Sequence, residues 1–288
     1  MFAIASATLY GLCAVLTKIA TRGTLGVGAL MFGRGLSGMM FLLVPACRRR
    51  KLPKISRQSV PKIALYGILG TAATQIFLNL AYFYLPVGTT TTIHFLYPAL
   101  VTASSALLFR QRIPRVTVLT LVISTGSMFL LFEGVDSGQF RGVIYAVMSV
   151  LCWSFQMLYM ERSGVLEEDR QSLTFFVCLA MAMTGLVYGW LTGTLQLKPL
   201  LANAGIVALI GFLNNVCATI CLQNGIKFAG AGLSAVFSVF EPISSIILGS
   251  CLLNERLGTR QIVSCALILT SICVMMIWNV KGSKTQKT

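Results

Sequence analysis

The 288-residue chain is 56% hydrophobic and only 11% charged, with a formal net charge of +15. A soluble domain carries about 25% charged residues, so there is too little polar surface here to cover a water-soluble globule, and the mean hydropathy of +0.81 points to a polytopic membrane protein. The basic excess is no nucleic-acid signal, because no basic run lies in a segment able to fold as a soluble module; it reads as topological charge at a membrane surface.

A spanning helix needs about 20 mostly apolar residues. Ten stretches qualify, at approximately 2–20, 26–46, 63–84, 87–109, 116–132, 142–160, 172–192, 204–223, 231–252 and 261–279. The first lacks a basic n-region and a small-residue cleavage site, so it is read as a retained helix rather than a signal peptide. The second holds Arg34 between Gly33 and Gly35. This guanidinium suits bidentate binding of a carboxylate; pairing with Glu241 or snorkelling outward are the structural readings. The third offers Thr71, Gln75, Asn79 and Tyr82 at spacings of 4, 4 and 3, a polar stripe that must face protein or water.

In the fourth span Thr90, His94, Tyr97 and Pro98 share a face. His94 is the sole histidine, so no metal site is expected; it reads as a hydrogen-bonding cavity residue or a proton relay. The sixth span carries Trp153, Gln156 and Tyr159, and Trp153 lies too deep for an interfacial belt. Trp190 and Trp278 sit near span ends, as interfacial anchors do. Gly185, Gly189 and Gly193 recur every four residues on the seventh span, a small-residue face for close packing. The eighth offers Asn214, Asn215, Thr219 and Gln223, for which interhelical hydrogen bonding competes with ligand contact.

The ninth span repeats the face of the fourth with Ser234, Ser238, Glu241, Pro242 and Ser245. Glu241 falls at mid-depth, where a charge costs at least about 2.5–3.5 kcal/mol. It is read as a partner for a substrate amine or a proton-coupling carboxylate, against a structural ion pair. Pro98 and Pro242 each remove a helix hydrogen bond and predict a bend. Nine cysteines with no C-x-x-C are expected to be reduced, buried small hydrophobes.

Placing both termini inside puts 16 of the 23 lysines and arginines on inner loops and six on outer ones, with Arg34 left in a span. The positive-inside rule then sets the orientation. No gap between spans has room for a soluble catalytic domain. Pro242 follows Pro98 by 144 residues, and Arg256 follows Arg112 by the same step. That offset divides ten spans into five and five, and an odd number inverts the second half relative to the first. Inverted repeats place a substrate site near the midplane, at their interface. The predicted fold is an all-α membrane protein of ten transmembrane helices in two inverted five-helix repeats, 1–136 and 137–288.

Phe240-Glu241-Pro242 with Asn254-Glu255-Arg256-Leu257, and Val87 through Pro98 in the first half, resemble the EamA domain. Two such domains resemble the drug/metabolite transporter superfamily. The resemblance implies export or exchange of small metabolites such as amino acids, and a central cavity lined by the first, third, fourth, sixth, eighth and ninth spans. The expected function is secondary transport of an amino acid or related zwitterion or amine by alternating access. Candidate cavity residues are Arg34, Gln75, Asn79, Tyr82, Thr90, His94, Tyr97, Trp153, Gln156, Asn214, Asn215, Ser238 and Glu241. Two alternatives stand beside it: a multidrug or cation exporter, and an intramembrane lipid-modifying enzyme. Against the enzyme, there is no paired acidic metal motif, P-loop or G-x-G-x-x-G, and the missing P-loop also argues against ATP-driven pumping by this chain. No cofactor or nucleic-acid partner is expected. The expected partners are a small-molecule substrate and the bilayer, with protons as a candidate coupling ion and a monomer or homodimer as the unit. The predicted location is the cell (inner) membrane, with both termini cytoplasmic.

Overall fold

In a computed structural model, residues 1–23, 25–48, 50, 52–108, 115–128, 137–238, 240–254 and 258–285 are described. Every regular element among them is helical, as hydrocarbon demands of a backbone that must satisfy its own polar groups. In chain order these are α1 (Phe2–Thr21), α2 (Val27–Arg48), α3 (Ser59–Tyr82), α4 (Val87–His94), α5 (Tyr97–Leu108), α6 (Arg115–Met128), α7 (Ser137–Arg162), α8 (Arg170–Leu191) and the short α9 (Leu197–Ala202). Then α10 runs as Ala204–Ile210, Gly211–Ala218 and Thr219–Phe237 without interruption, followed by α11 (Phe240–Leu253) and α12 (Thr259–Thr285).

Among the described residues, six segments are long and apolar enough to cross a bilayer: Phe2–Thr21, Val27–Arg48, Ser59–Tyr82, Gly138–Arg162, Arg170–Leu191 and Ala204–Phe228. Phe240–Leu253 and Ile262–Met275 are shorter apolar helices. Large apolar side chains such as Met40, Leu119 and Trp190 point outward, where lipid replaces water as solvent. The protein is an all-α membrane protein. The arginine motifs at Arg112 and Arg256 lie outside the described residues.

The prolines set the breaks. A proline ring clashes with the carbonyl four residues earlier and removes the bond that carbonyl would accept. Four residues before Pro98 is His94, and four before Pro242 is Ser238. The first helix stops at His94, passes Phe95 and Leu96, and restarts at Tyr97; the second stops at Phe237 and restarts at Phe240. The expected bends are therefore interruptions, in matching places. The expected loop at 224–230 is helical instead. No proline stands between Thr219 and Phe237, so nothing removes a backbone donor until Pro242.

A second matched feature lies in the third and eighth expected spans. Tyr66–Ala72 and Gly211–Ala218 are π-helical turns, with Gly67 and Gly211 144 residues apart. Such wide turns are rare and recur at functional sites.

Packing exchanges the halves. α1 lies against α10 and α11, while α7 lies against α3, α4 and α5. α2 runs along α8; α2 also meets the π turn of α10, and α8 meets that of α3. α6 pairs with α12. The main core cluster runs from Ile63 through Trp153 to Met275 and belongs to neither half alone. Glycine permits the α2–α8 contact: Gly28 touches Gly189, and a Cβ on Gly35 would sit 2.6 Å from the backbone nitrogen of Ala182. Gly185 meets Met31 and Phe32 in the same way. Gly193 does not join this face; it ends α8 at φ +67°, in the left-handed region that glycine enters without penalty.

Candidate functional site

Two adjoining cavities, each of about 20 Å³, sit between the halves and share Tyr10, Gln75, Trp153 and Asn214 as walls. The first adds Cys13, Tyr82, His94 and Glu241. The second adds Tyr66, Gln156, Cys178, Asn215 and Thr219. Each has room for about one water molecule, so the centre is contracted in this conformation. A larger cleft of about 770 Å³ opens beyond the second cavity, bounded by Arg50, Lys54, Asp169, Arg170, Ser172 and Asn224. At the opposite end, Lys18 Nζ donates to the Leu85 carbonyl (2.8 Å) and Arg22 Nη2 to the Leu253 carbonyl (2.9 Å).

Arg34 is 1% exposed. Its guanidinium donates to Gln75 Oε1 (3.2 Å), Asn214 Oδ1 (2.9 Å) and Asn215 Oδ1 (3.2 Å). Asn215 Nδ2 returns a bond to the Arg34 carbonyl at 3.0 Å. Arg34 is thus held by neutral amides from both halves. The expected alternative of an Arg34–Glu241 ion pair is not formed. Two consecutive residues, Asn214 and Asn215, reach one guanidinium because they lie in the π turn, where each residue rotates less about the axis than in an α-helix. Thr219 Oγ1 donates to the Asn214 carbonyl, five residues back, at 3.0 Å.

Glu241 lines the first cavity with no side-chain hydrogen bond among the described residues. Gly11 lets α1 approach this point, touching Ser244 and the Glu241 carbonyl. His94 Nδ1 lies 2.9 Å from Ser149 Oγ, whose own hydrogen goes to the Ala146 carbonyl (2.6 Å). Ser149 therefore accepts from His94 Nδ1–H, and Nε2 is left as an acceptor. The His94 ring packs 5.7 Å from Trp153 and 5.8 Å from Tyr97, and Trp153 lies 6.0 Å from Tyr10. Tyr10, His94 and Trp153 line the same cavity as Glu241 and give it an aromatic wall.

Of the residues singled out from sequence, Gln75, Tyr82, His94, Trp153, Gln156, Asn214, Asn215 and Glu241 line the two cavities. Arg34 stands one layer behind its amides. Thr90 Oγ1 donates to the Pro86 carbonyl of its own helix (3.0 Å) and lines neither cavity. Tyr97 backs the rings, and Ser238 is buried without reaching the lining. Asn79 is 1% exposed, lines neither cavity, and has no hydrogen-bond partner at Oδ1 or Nδ2 among the described residues. The reading of the first span missed Tyr10, Cys13 and Thr17, which all line the first cavity. Their spacing of 3 and 4 was the available signal.

The chain matches the EamA-like transporter family over residues 1–133 and again over 140–277. It belongs to the EamA-like transporter family. An uncharacterized transporter of Archaeoglobus fulgidus is 22% identical over 283 residues, covering 93% of this chain and 95% of that protein. An uncharacterized Bacillus subtilis transporter, YcbK, is 31% identical over 86 residues, covering 30% of this chain and 28% of its own. A solved crystal structure superposes with a TM-score of 0.62 at 21% identity, covering 95% of this chain and 97% of the other, which shows a shared fold. This EamA chain is therefore a multi-pass membrane transporter.

Proposed function

We propose that this transporter moves an amino acid or related zwitterion by alternating access, as a secondary exporter or exchanger in the cell membrane with both termini in the cytoplasm. The carrying observation is Glu241, a mid-span carboxyl without a side-chain hydrogen bond among the described residues, in the same cavity as the amides of Gln75 and Asn214. A carboxyl placed there is suited to an ammonium group or a proton. The exchanged packing of the two halves supports a rocking motion about a central site. With the basic loops inside, the 770 Å³ cleft faces the cytoplasm and the Lys18 and Arg22 ties close the outer end.

The aromatic wall of Tyr10, His94 and Trp153 favours a second reading, export of organic amines. Proteoliposomes loaded with a panel of radiolabelled amino acids and cationic dyes, with and without a pH gradient, separate the two. Glu241→Gln is expected to cut transport at least tenfold and to flatten its pH dependence. Unchanged rate and pH profile in this variant would remove Glu241 from both roles.

A further inference from the structure

The orientation of the amides around Arg34 carries a consequence for substrate. A guanidinium has five N–H donors and no acceptor. Whatever faces it must be oxygen, so Gln75, Asn214 and Asn215 are fixed with oxygen toward Arg34 and nitrogen away. For Asn215 the nitrogen is used internally, on the Arg34 carbonyl and Met181 Sδ. Among the described residues the Gln75 nitrogen has no hydrogen bond, and Asn214 turns its NH₂ toward the thiol of Cys13, a weak acceptor. Gln75, Asn214 and Cys13 all line the cavity that Glu241 lines.

We infer that Arg34 is a positioning residue: it aims the N–H groups of Gln75 and Asn214 into the cavity, where they form a subsite for the carboxylate of a zwitterion. Arg34 itself does not touch the ligand. Its positive charge, buried with no acid beside it among the described residues, polarises both amides and strengthens their donors. A carboxylate displacing the thiol contact supplies the counter-charge that the amide cage lacks. The inference rests on the zwitterion reading above and locates that substrate's negative end.

The test is equilibrium binding to the purified full-length protein of L-amino acids, each measured against its decarboxylated amine. Wild type is expected to prefer the amino acid. Asn214→Asp keeps the oxygen that Arg34 holds and gives Arg34 an acid, but removes the N–H donor. It is expected to melt no lower than wild type while its preference for the carboxylate falls at least tenfold. Arg34→Met is expected to lose the preference too; if that variant does not fold, Asn214→Asp alone decides. A purely structural role for the cluster predicts that Asn214→Asp keeps the preference within twofold, and that result overturns the inference. Wild type that binds amines as tightly as amino acids, or binds neither, instead overturns the zwitterion reading and the inference with it.

Discussion

Two polar residues, one inside the membrane and one outside it, show how surroundings decide what a polar side chain contributes. Among the described residues Asn79 has no hydrogen-bond partner on either amide atom, and it lies outside both cavities. Replacing an unsatisfied buried group by an apolar one of similar size loses no bond. Asn79→Leu is therefore expected to raise stability by up to about 1 kcal/mol in thermal unfolding and to leave transport within twofold; a large loss of transport would make Asn79 part of the substrate path. Outside the membrane, Glu168 accepts from Ser59 Oγ (2.5 Å) and Ser56 N (3.3 Å). These bonds favour the ionised form and hold its carboxyl below the usual range. Because the folded value is depressed, the stabilising tie is present above the ordinary carboxylate pKa and is lost as pH falls through the lowered one. Protection against hydrogen exchange across 55–59, corrected for the intrinsic pH dependence of exchange, is expected to fall only below the ordinary carboxylate range, and Glu168→Gln to remove that step.

At the scale of elements, glycines and prolines decide the geometry. A Cβ on Gly35 would meet backbone atoms of Cys178 and Ala182 at 2.7 and 2.6 Å, whereas Gly205 has nothing within 4 Å. Backbone cannot swing aside as a flexible side chain can. Gly35→Val is expected to destabilise by about 1–3 kcal/mol, while Gly205→Ala is neutral or stabilising by up to about 1 kcal/mol. Equal melting temperatures for the two variants would mean that α2 and α8 do not need close contact. The breaks at His94 and Ser238 lie four residues before Pro98 and Pro242 and were legible in the sequence as bends, but proline alone does not decide them, since α2 runs through Pro45 unbroken. The paired π turns were not legible, since no residue pattern marks a turn that tertiary packing widens.

At the scale of the whole molecule, two cations at the C-terminal end of α1 bridge one end. Lys18 and Arg22 cap the Leu85 and Leu253 carbonyls near helix ends, where positive charge is favoured. Charge-assisted bonds of this kind contribute roughly 1.5–3 kcal/mol each. Breaking both is expected to shift the population toward a state open at that end. In the Lys18→Met, Arg22→Met double variant, modification of Cys13 by an impermeant maleimide, read by mass spectrometry, is expected to run at least tenfold faster. An unchanged rate would show that these ties do not hold the end closed.

Sequence by itself determined the class and the helical backbone, though not where each helix begins and ends, and it showed which polar side chains had to be accounted for. Hydrocarbon leaves a backbone little choice but helix, and an amide or charge in an apolar span must face inward wherever it lies. It also showed the 144-residue repeat. Only tertiary structure decided which polar groups meet. Arg34 and Glu241, both mid-span charges, look like natural partners on paper. Instead, three amides from two distant π-turned or neighbouring helices surround Arg34 and Glu241 is left to the cavity. Such choices depend on contacts between residues up to 181 positions apart, made where one half packs against the other, and no local pattern encodes them.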